Sequence, residues 1–154
     1  MSGPTPVGAV FRGLAAGAVG TAAMTAVQTA VAKQRGSEPS TTPAEVGKRI
    51  IEGVLQRGPV TDEQIPTLNH AMHWFYGTSW GAVYGLSQGT KAARISRSGP
   101  AFGTFVWGAS LVELPAMKLA PPVWEYPPAS LAEEVGYHVV YGLGVAFAYA
   151  VLGG

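Results

Sequence analysis

His73 and His138 stand in two nearly uncharged stretches, HWFYGTSWGAVYG (73–85) and HVVYGLGVAFAYA (138–150). A shift of 65 residues lays Tyr76 on Tyr141, Gly77 on Gly142 and Tyr84 on Tyr149, so both stretches read H-x-x-Y-G-x6-Y. Two facing imidazoles can ligate haem iron from both sides, or each can hold a pigment magnesium, inside a helical bundle. With Glu113 or Glu134 beside them they can instead hold a transition metal, since imidazole and carboxylate suit zinc or iron. The chain has neither an H-x3-H pair nor an E-x-x-H motif, the usual spacings for metals on one helix.

Glu113 raises a second chemistry. It stands in an otherwise apolar run two residues before Pro115, and Glu134 stands one helical turn before His138. An ionisable group at membrane depth points to proton handling or to transport of a small solute. A third reading is structural: His73, His138, Glu113, Glu134, His70, Tyr76 and Tyr141 form a polar cluster that hydrogen-bonds helices together in an accessory subunit. That third reading is the preferred one. No Ser nucleophile with a matched base, phosphate-binding glycine loop or paired catalytic carboxylates is evident, so no enzyme class is indicated.

These residues need elements to hold them, and the distribution of charge suggests which. Charged residues make up 12% of the 154, against about 25% in typical soluble domains. None occurs in 13–32, 68–88 or 135–154, and 99–119 holds only Glu113 and Lys118. Four segments of this length match the roughly 20 residues that cross a bilayer as a helix. The expected fold is therefore all-α: a single integral membrane domain over 1–154, a four-helix bundle with helices at about 7–33, 67–88, 99–120 and 131–152. The first apolar run is long for a signal peptide and has only Arg12 before it, so it is read as the first membrane helix.

Between the first two helices, TTPAEVGKRIIEGVLQRGP predicts a short amphipathic helix over about 43–57. Thr42 and Glu45 suggest a capping box, Val46, Ile50, Ile51 and Val54 an apolar stripe, and Gly58-Pro59 an end. Ser130 and Glu133 suggest a second capping box ahead of the last helix. Trp124 and Tyr126, in PPVWEYPP, are residue types that favour a membrane–water interface.

The repeat implies two tandem helical hairpins. Gly13, Gly17, Thr21, Thr25 and Thr29 recur every fourth residue, as do His73, Gly77, Gly81 and Gly85, and Glu134, His138, Gly142, Ala146 and Ala150. Small residues at that step line faces along which helices pack closely in lipid. The histidines fall on these faces and are expected at similar depth, turned towards protein. Arg12, Lys91, Arg94 and Arg97 lie at one end without an acid, whereas the other end carries six basic and eight acidic residues. Basic short loops stay cytoplasmic, which places both termini inside.

This layout, with its H-x-x-Y-G helices and glycine-rich first helix, resembles the YagU-like family of small bacterial inner-membrane proteins. The resemblance implies an inner-membrane location and a four-helix architecture, with at most a link to acid or envelope stress and no defined reaction. The amphipathic segment and PPVWEYPP have no counterpart in it. The partners expected are the lipid bilayer and either further copies of the chain or a larger membrane complex. A net charge of +1 gives no case for nucleic acid, and the absence of cysteine excludes disulfides and iron–sulfur clusters.

Overall fold

The computed structural model describes residues 5–38, 40–89 and 95–153, and these are helical, with no strand among them. Five α-helices are present: α1 (Pro6–Arg35), α2 (Thr42–Lys48), α3 (Ile65–Gln88), α4 (Ile95–Ala116) and α5 (Pro128–Val151). Lys91 and Arg94 lie outside the described residues.

Local chemistry fixes the ends of α1. The Thr5 hydroxyl accepts from the Gly8 N–H, Pro6 supplies a pre-set φ at the first position, and Gly36 closes the helix in the left-handed region at φ 63°. α2 continues into a π-helical segment, Arg49–Val54. Its expected capping box does not form. Thr41 occupies the cap position without a side-chain bond, and the Thr42 hydroxyl takes a bond from Ser40 instead. A capping box does form at Thr61 and Gln64, leading through a 3-10 turn (Asp62–Gln64) into α3.

The second expected capping box is also absent. α5 begins at Pro128, two residues ahead of Ser130, and Glu133 turns away to Arg35 and Tyr137. α4 starts four residues before the expected position and ends at Ala116, four residues short of it. Lys118 adopts a left-handed φ of 57° just beyond that end, and a Pro-Pro step follows at 121–122, so the helical path cannot continue.

The four long helices pack in the order α3, α1, α5, α4. α1 runs antiparallel to α3, and α4 antiparallel to α5. Each contact is made where side chains are missing. A Cβ on Gly17 would lie 2.7 Å from the Gly77 carbonyl and 2.9 Å from Gly81 Cα, so the two backbones are in direct contact. Gly81 sits against Gly13 and Gly17, and Gly142 sits likewise against Gly99 and Gly103. Both pairs thus close on a glycine held between two others four residues apart. The sequence repeat, however, matches Gly142 with Gly77 and not with Gly81, so the second crossing is displaced by one helical turn.

Where all four helices converge, Tyr84 and Tyr149 are fully buried and pack edge to face at 5.5 Å, with Tyr141, Val145 and Val106 around them. α3 and α4 meet chiefly through side chains, with Trp80 against Phe102 and Phe105, and Tyr84 against Phe102. Among the described residues, α1 is the one helix long and apolar enough to cross a membrane by length and composition. The other three contain many Gly, Ser, Tyr, Trp and His residues, whose hydropathy is low even where charge is absent.

Candidate functional site: polar side chains at the helix seams

The residues expected to form one polar cluster are distributed over several seams. His73 faces α1, with Nε2 at 3.0 Å from the Thr25 hydroxyl. That hydroxyl donates its single proton to the Thr21 carbonyl at 2.8 Å. The histidine must therefore be the donor to Thr25, which assigns its proton to Nε2. Thr25 is a polar partner that the stripe placed on the correct face, although its type alone does not identify it as a hydrogen-bonding site.

His138 is oriented differently. Its Nδ1 lies 2.8 Å from the Glu134 carbonyl, an acceptor, so Nδ1 carries the proton and the neutral ring keeps a lone pair on Nε2. Orientation through Nδ1–H to a backbone carbonyl is how ligating histidines are commonly held. The His138 backbone is itself the point at which Gly103 crosses. His73 and His138 belong to different contacts, one on the α1–α3 seam and one on the α4–α5 seam.

Glu113 is three residues from the end of α4, not mid-helix, and it is exposed. Its carboxylate accepts a 2.8 Å bond from the Tyr76 hydroxyl. The two close one end of a shallow groove of about 230 Å³ between α3 and α4, walled by Phe75, Ser79, Trp80 and Val83. Glu134 contributes its backbone carbonyl and is otherwise exposed, and His70 is exposed as well. Among the described residues no group of three or more His, Asp or Glu side chains is placed to hold a metal ion.

The tyrosines of the repeat do similar work through different partners. Tyr141 donates to the Gly77 carbonyl at 2.7 Å, and Tyr149 to the carbonyls of Gly85 and Gly89 at 3.2 and 3.1 Å. Their repeat mates on α3 reach α4 instead, Tyr76 to Glu113 and Tyr84 to Ser98. The α5 tyrosines therefore clamp α3 by its backbone across the bundle. Replacing Tyr141 with Phe is expected to lower stability by about 1–2 kcal/mol, the range for losing a bond to a buried carbonyl, in a denaturant titration of the purified protein.

Three contacts at the bundle ends had no clear sequence signal. Arg35 and Glu133 form an ion pair at 2.6 Å, Arg12 donates to the Gly153 carbonyl, and Asn69 binds both Ala44 N–H and the Ser40 carbonyl. The last of these straps α2 onto α3. The chain matches no family model, no curated protein and no solved structure.

Proposed function

We propose that the chain is an integral membrane protein built as a four-helix bundle of two related hairpins, serving as a structural or accessory subunit of a membrane assembly. One observation carries the membrane placement. Phe11, Phe75, Phe105 and Phe147, one on each long helix, are 59–67% exposed. Phe75, Phe105 and Phe147 lie in stretches without Asp, Glu, Lys or Arg, which cover all of α3, 98–112 of α4 and 135–151 of α5, and Phe11 stands beside Arg12 at the edge of the uncharged 13–32 of α1. The uncharged stretches of α1 and α3 rise about 30 Å or more, the thickness of a bilayer's hydrocarbon core, and those of α4 and α5 about 22–26 Å. In water such a band would be an apolar surface without cover.

Charges gather at the two ends. Arg12 and Arg97 occupy the end that holds the termini, without an acid, whereas the other carries six basic residues, Lys33, Arg35, Lys48, Arg49, Arg57 and Lys118, among nine acidic ones. The acid-free basic end supports a bacterial inner-membrane protein with both termini cytoplasmic and α2 on the far surface. A cysteine in place of Lys48 is expected to react with a membrane-impermeant maleimide added to intact cells. Labelling only after the cells are opened would reverse the topology.

The accessory role is supported by how the polar side chains are spent. Thr25, His73, Tyr141 and Tyr149 bond between helices, and they do not converge on a shared cavity. Such bonds contribute about 0.6–2 kcal/mol each in membranes and specify packing. Gentle extraction from native membranes tests this role. The chain is expected in a particle well above its own 15.9 kDa, either as several copies or with other proteins. A single copy with no companion would contradict it.

The orientation of His138 favours one second reading, a haem, pigment or metal carrier. Its Nε2 lone pair suits axial ligation, whereas the Nε2 of His73 is engaged by Thr25 and leaves Nδ1 as the nitrogen that could join. An ultraviolet–visible spectrum of the same preparation discriminates. A Soret or chlorophyll-like band lost in His138→Ala establishes the carrier, and a colourless, metal-free protein refutes it.

A further inference from the structure

A cleft of about 370 Å³ lies beside α2, lined by Glu45, Lys48, Arg49, Glu52, Gly53 and Leu119. Its size falls within the range of small-molecule sites, about 300–1,000 Å³. Two cations and two carboxylates face it. Glu45 and Arg49 are four residues apart, as are Lys48 and Glu52, which is the separation of ordinary helical ion pairs. Yet the one ion pair among the described residues is Arg35–Glu133, at a different place.

From Arg49 the chain is π-helical, closing i→i+5 bonds that turn Glu52 off the face of Lys48. Glu45 and Arg49 lie on an ordinary α-turn, and there it is the side-chain partners that differ. Arg49 is tied instead to the Met117 carbonyl at 2.7 Å, and Glu52 to the Val60 N–H at 2.8 Å. Both bonds run to backbone outside α2, and each side chain keeps further hydrogen-bonding capacity. The chain also turns sharply on both sides of the cleft. Gln56 and Lys118 are the two non-glycine residues with positive φ among those described, at 49° and 57°.

We propose that this cleft binds a phosphoethanolamine group, supplied by the head of a zwitterionic phospholipid. Lys48 and Arg49 take the phosphate, Glu45 and Glu52 accept from the primary ammonium, and Leu119 meets the apolar glycerol end. The balance of two positive and two negative groups selects a ligand without net charge, because either sign in excess meets its like. A trimethylated head is recognised less well, since it has no N–H to donate to the carboxylates. The exposed Trp124 at the same end of the bundle suits an interface at headgroup depth. The lipid source rests on the membrane placement proposed above.

The test is a tryptophan-fluorescence titration of the purified full chain with short-chain phosphatidylethanolamine, phosphatidylcholine and phosphatidylglycerol, and with glycerophosphoethanolamine, the zwitterionic headgroup diester without acyl chains. Phosphatidylethanolamine is expected to bind about tenfold more tightly than phosphatidylglycerol, the scale of one charge-assisted hydrogen bond. Glu45→Gln leaves the cleft positive and is expected to abolish or reverse that preference. Lys48→Gln leaves it negative and is expected to weaken both lipids by about tenfold. Equal binding of the three lipids by the unaltered protein, or the same shift in both variants, overturns the proposal. Binding of glycerophosphoethanolamine as tight as the lipid keeps the recognition chemistry and overturns the lipid source. A chain that resists alkaline extraction from membranes but ignores the headgroup refutes this inference alone and leaves the membrane placement standing.

Discussion

Gly81→Leu is expected to separate α1 from α3 and to cost at least about 3 kcal/mol, the upper range for overpacking a filled site. A Cβ at Gly81 would collide with the Gly13 carbonyl and with the Cα and N of Gly17, all backbone atoms that no rotamer change can move. The helices would have to part, and that would draw the Thr25 hydroxyl away from His73 and the Gly77 carbonyl away from Tyr141. Gly136→Ala supplies the control. A Cβ there meets nothing within 4 Å, so the exchange removes a flexible residue from α5 and is expected to stabilise by up to about 1 kcal/mol. Unfolding in a denaturing-detergent titration reads both variants. Similar behaviour of the two would mean that the α1–α3 contact is looser than described.

Phe147→Asp is expected to act in opposite directions in the two environments open to this chain. Phe147 is 59% exposed on α5, in the stretch without charge. In a water-soluble protein a carboxylate at such a surface position changes stability by about 0.5 kcal/mol or less and improves solubility. At the hydrocarbon level of a bilayer it opposes insertion by about 2 kcal/mol or more. The proposed placement therefore expects Phe147→Asp to reduce the amount of chain recovered in membranes severalfold. An unchanged or raised yield of soluble protein would favour the aqueous alternative.

Packing was legible in the sequence where it depended on the absence of side chains. Gly13 and Gly17, and Gly77, Gly81 and Gly85, recur at the four-residue step, and the structure uses those faces for α1 against α3. The repeat also found the right tyrosines. It could not give their partners, because Tyr141 and Tyr149 bond to backbone carbonyls, which carry no mark in a sequence. The one-turn displacement of the second crossing was hidden for a related reason: Gly77 and Gly81 are both glycines on one face, and sequence spacing cannot say which of them is clasped.

The ends of the elements were read less well. Glu113 reads as lying at membrane depth because the apolar run continues to Ala120, but the helix stops at Ala116, where the left-handed Lys118 and the proline pair redirect the chain. Thr42 with Glu45, and Ser130 with Glu133, have the spacing of a capping box, and competing bonds prevail at both. Ser40 binds Thr42, and Arg35 with Tyr137 holds Glu133. The π-helical turn has no periodicity of its own in so short a segment. It nevertheless turns Glu52 off the face of Lys48, and Arg49 and Glu52 bond to backbone outside α2 instead of to Glu45 and Lys48.

The central claim is that four helices share one bilayer. Among the described residues, α1 alone meets the ordinary test of length and hydropathy, so the claim depends on the shared apolar surface of the bundle. Washing membranes from cells that express the chain with alkaline carbonate tests it directly, because that treatment strips proteins held at the surface. The chain is expected to stay in the pellet and to leave it only with detergent. Release into the carbonate supernatant would contradict the account and make the exposed phenylalanines a docking surface of a water-soluble helical protein.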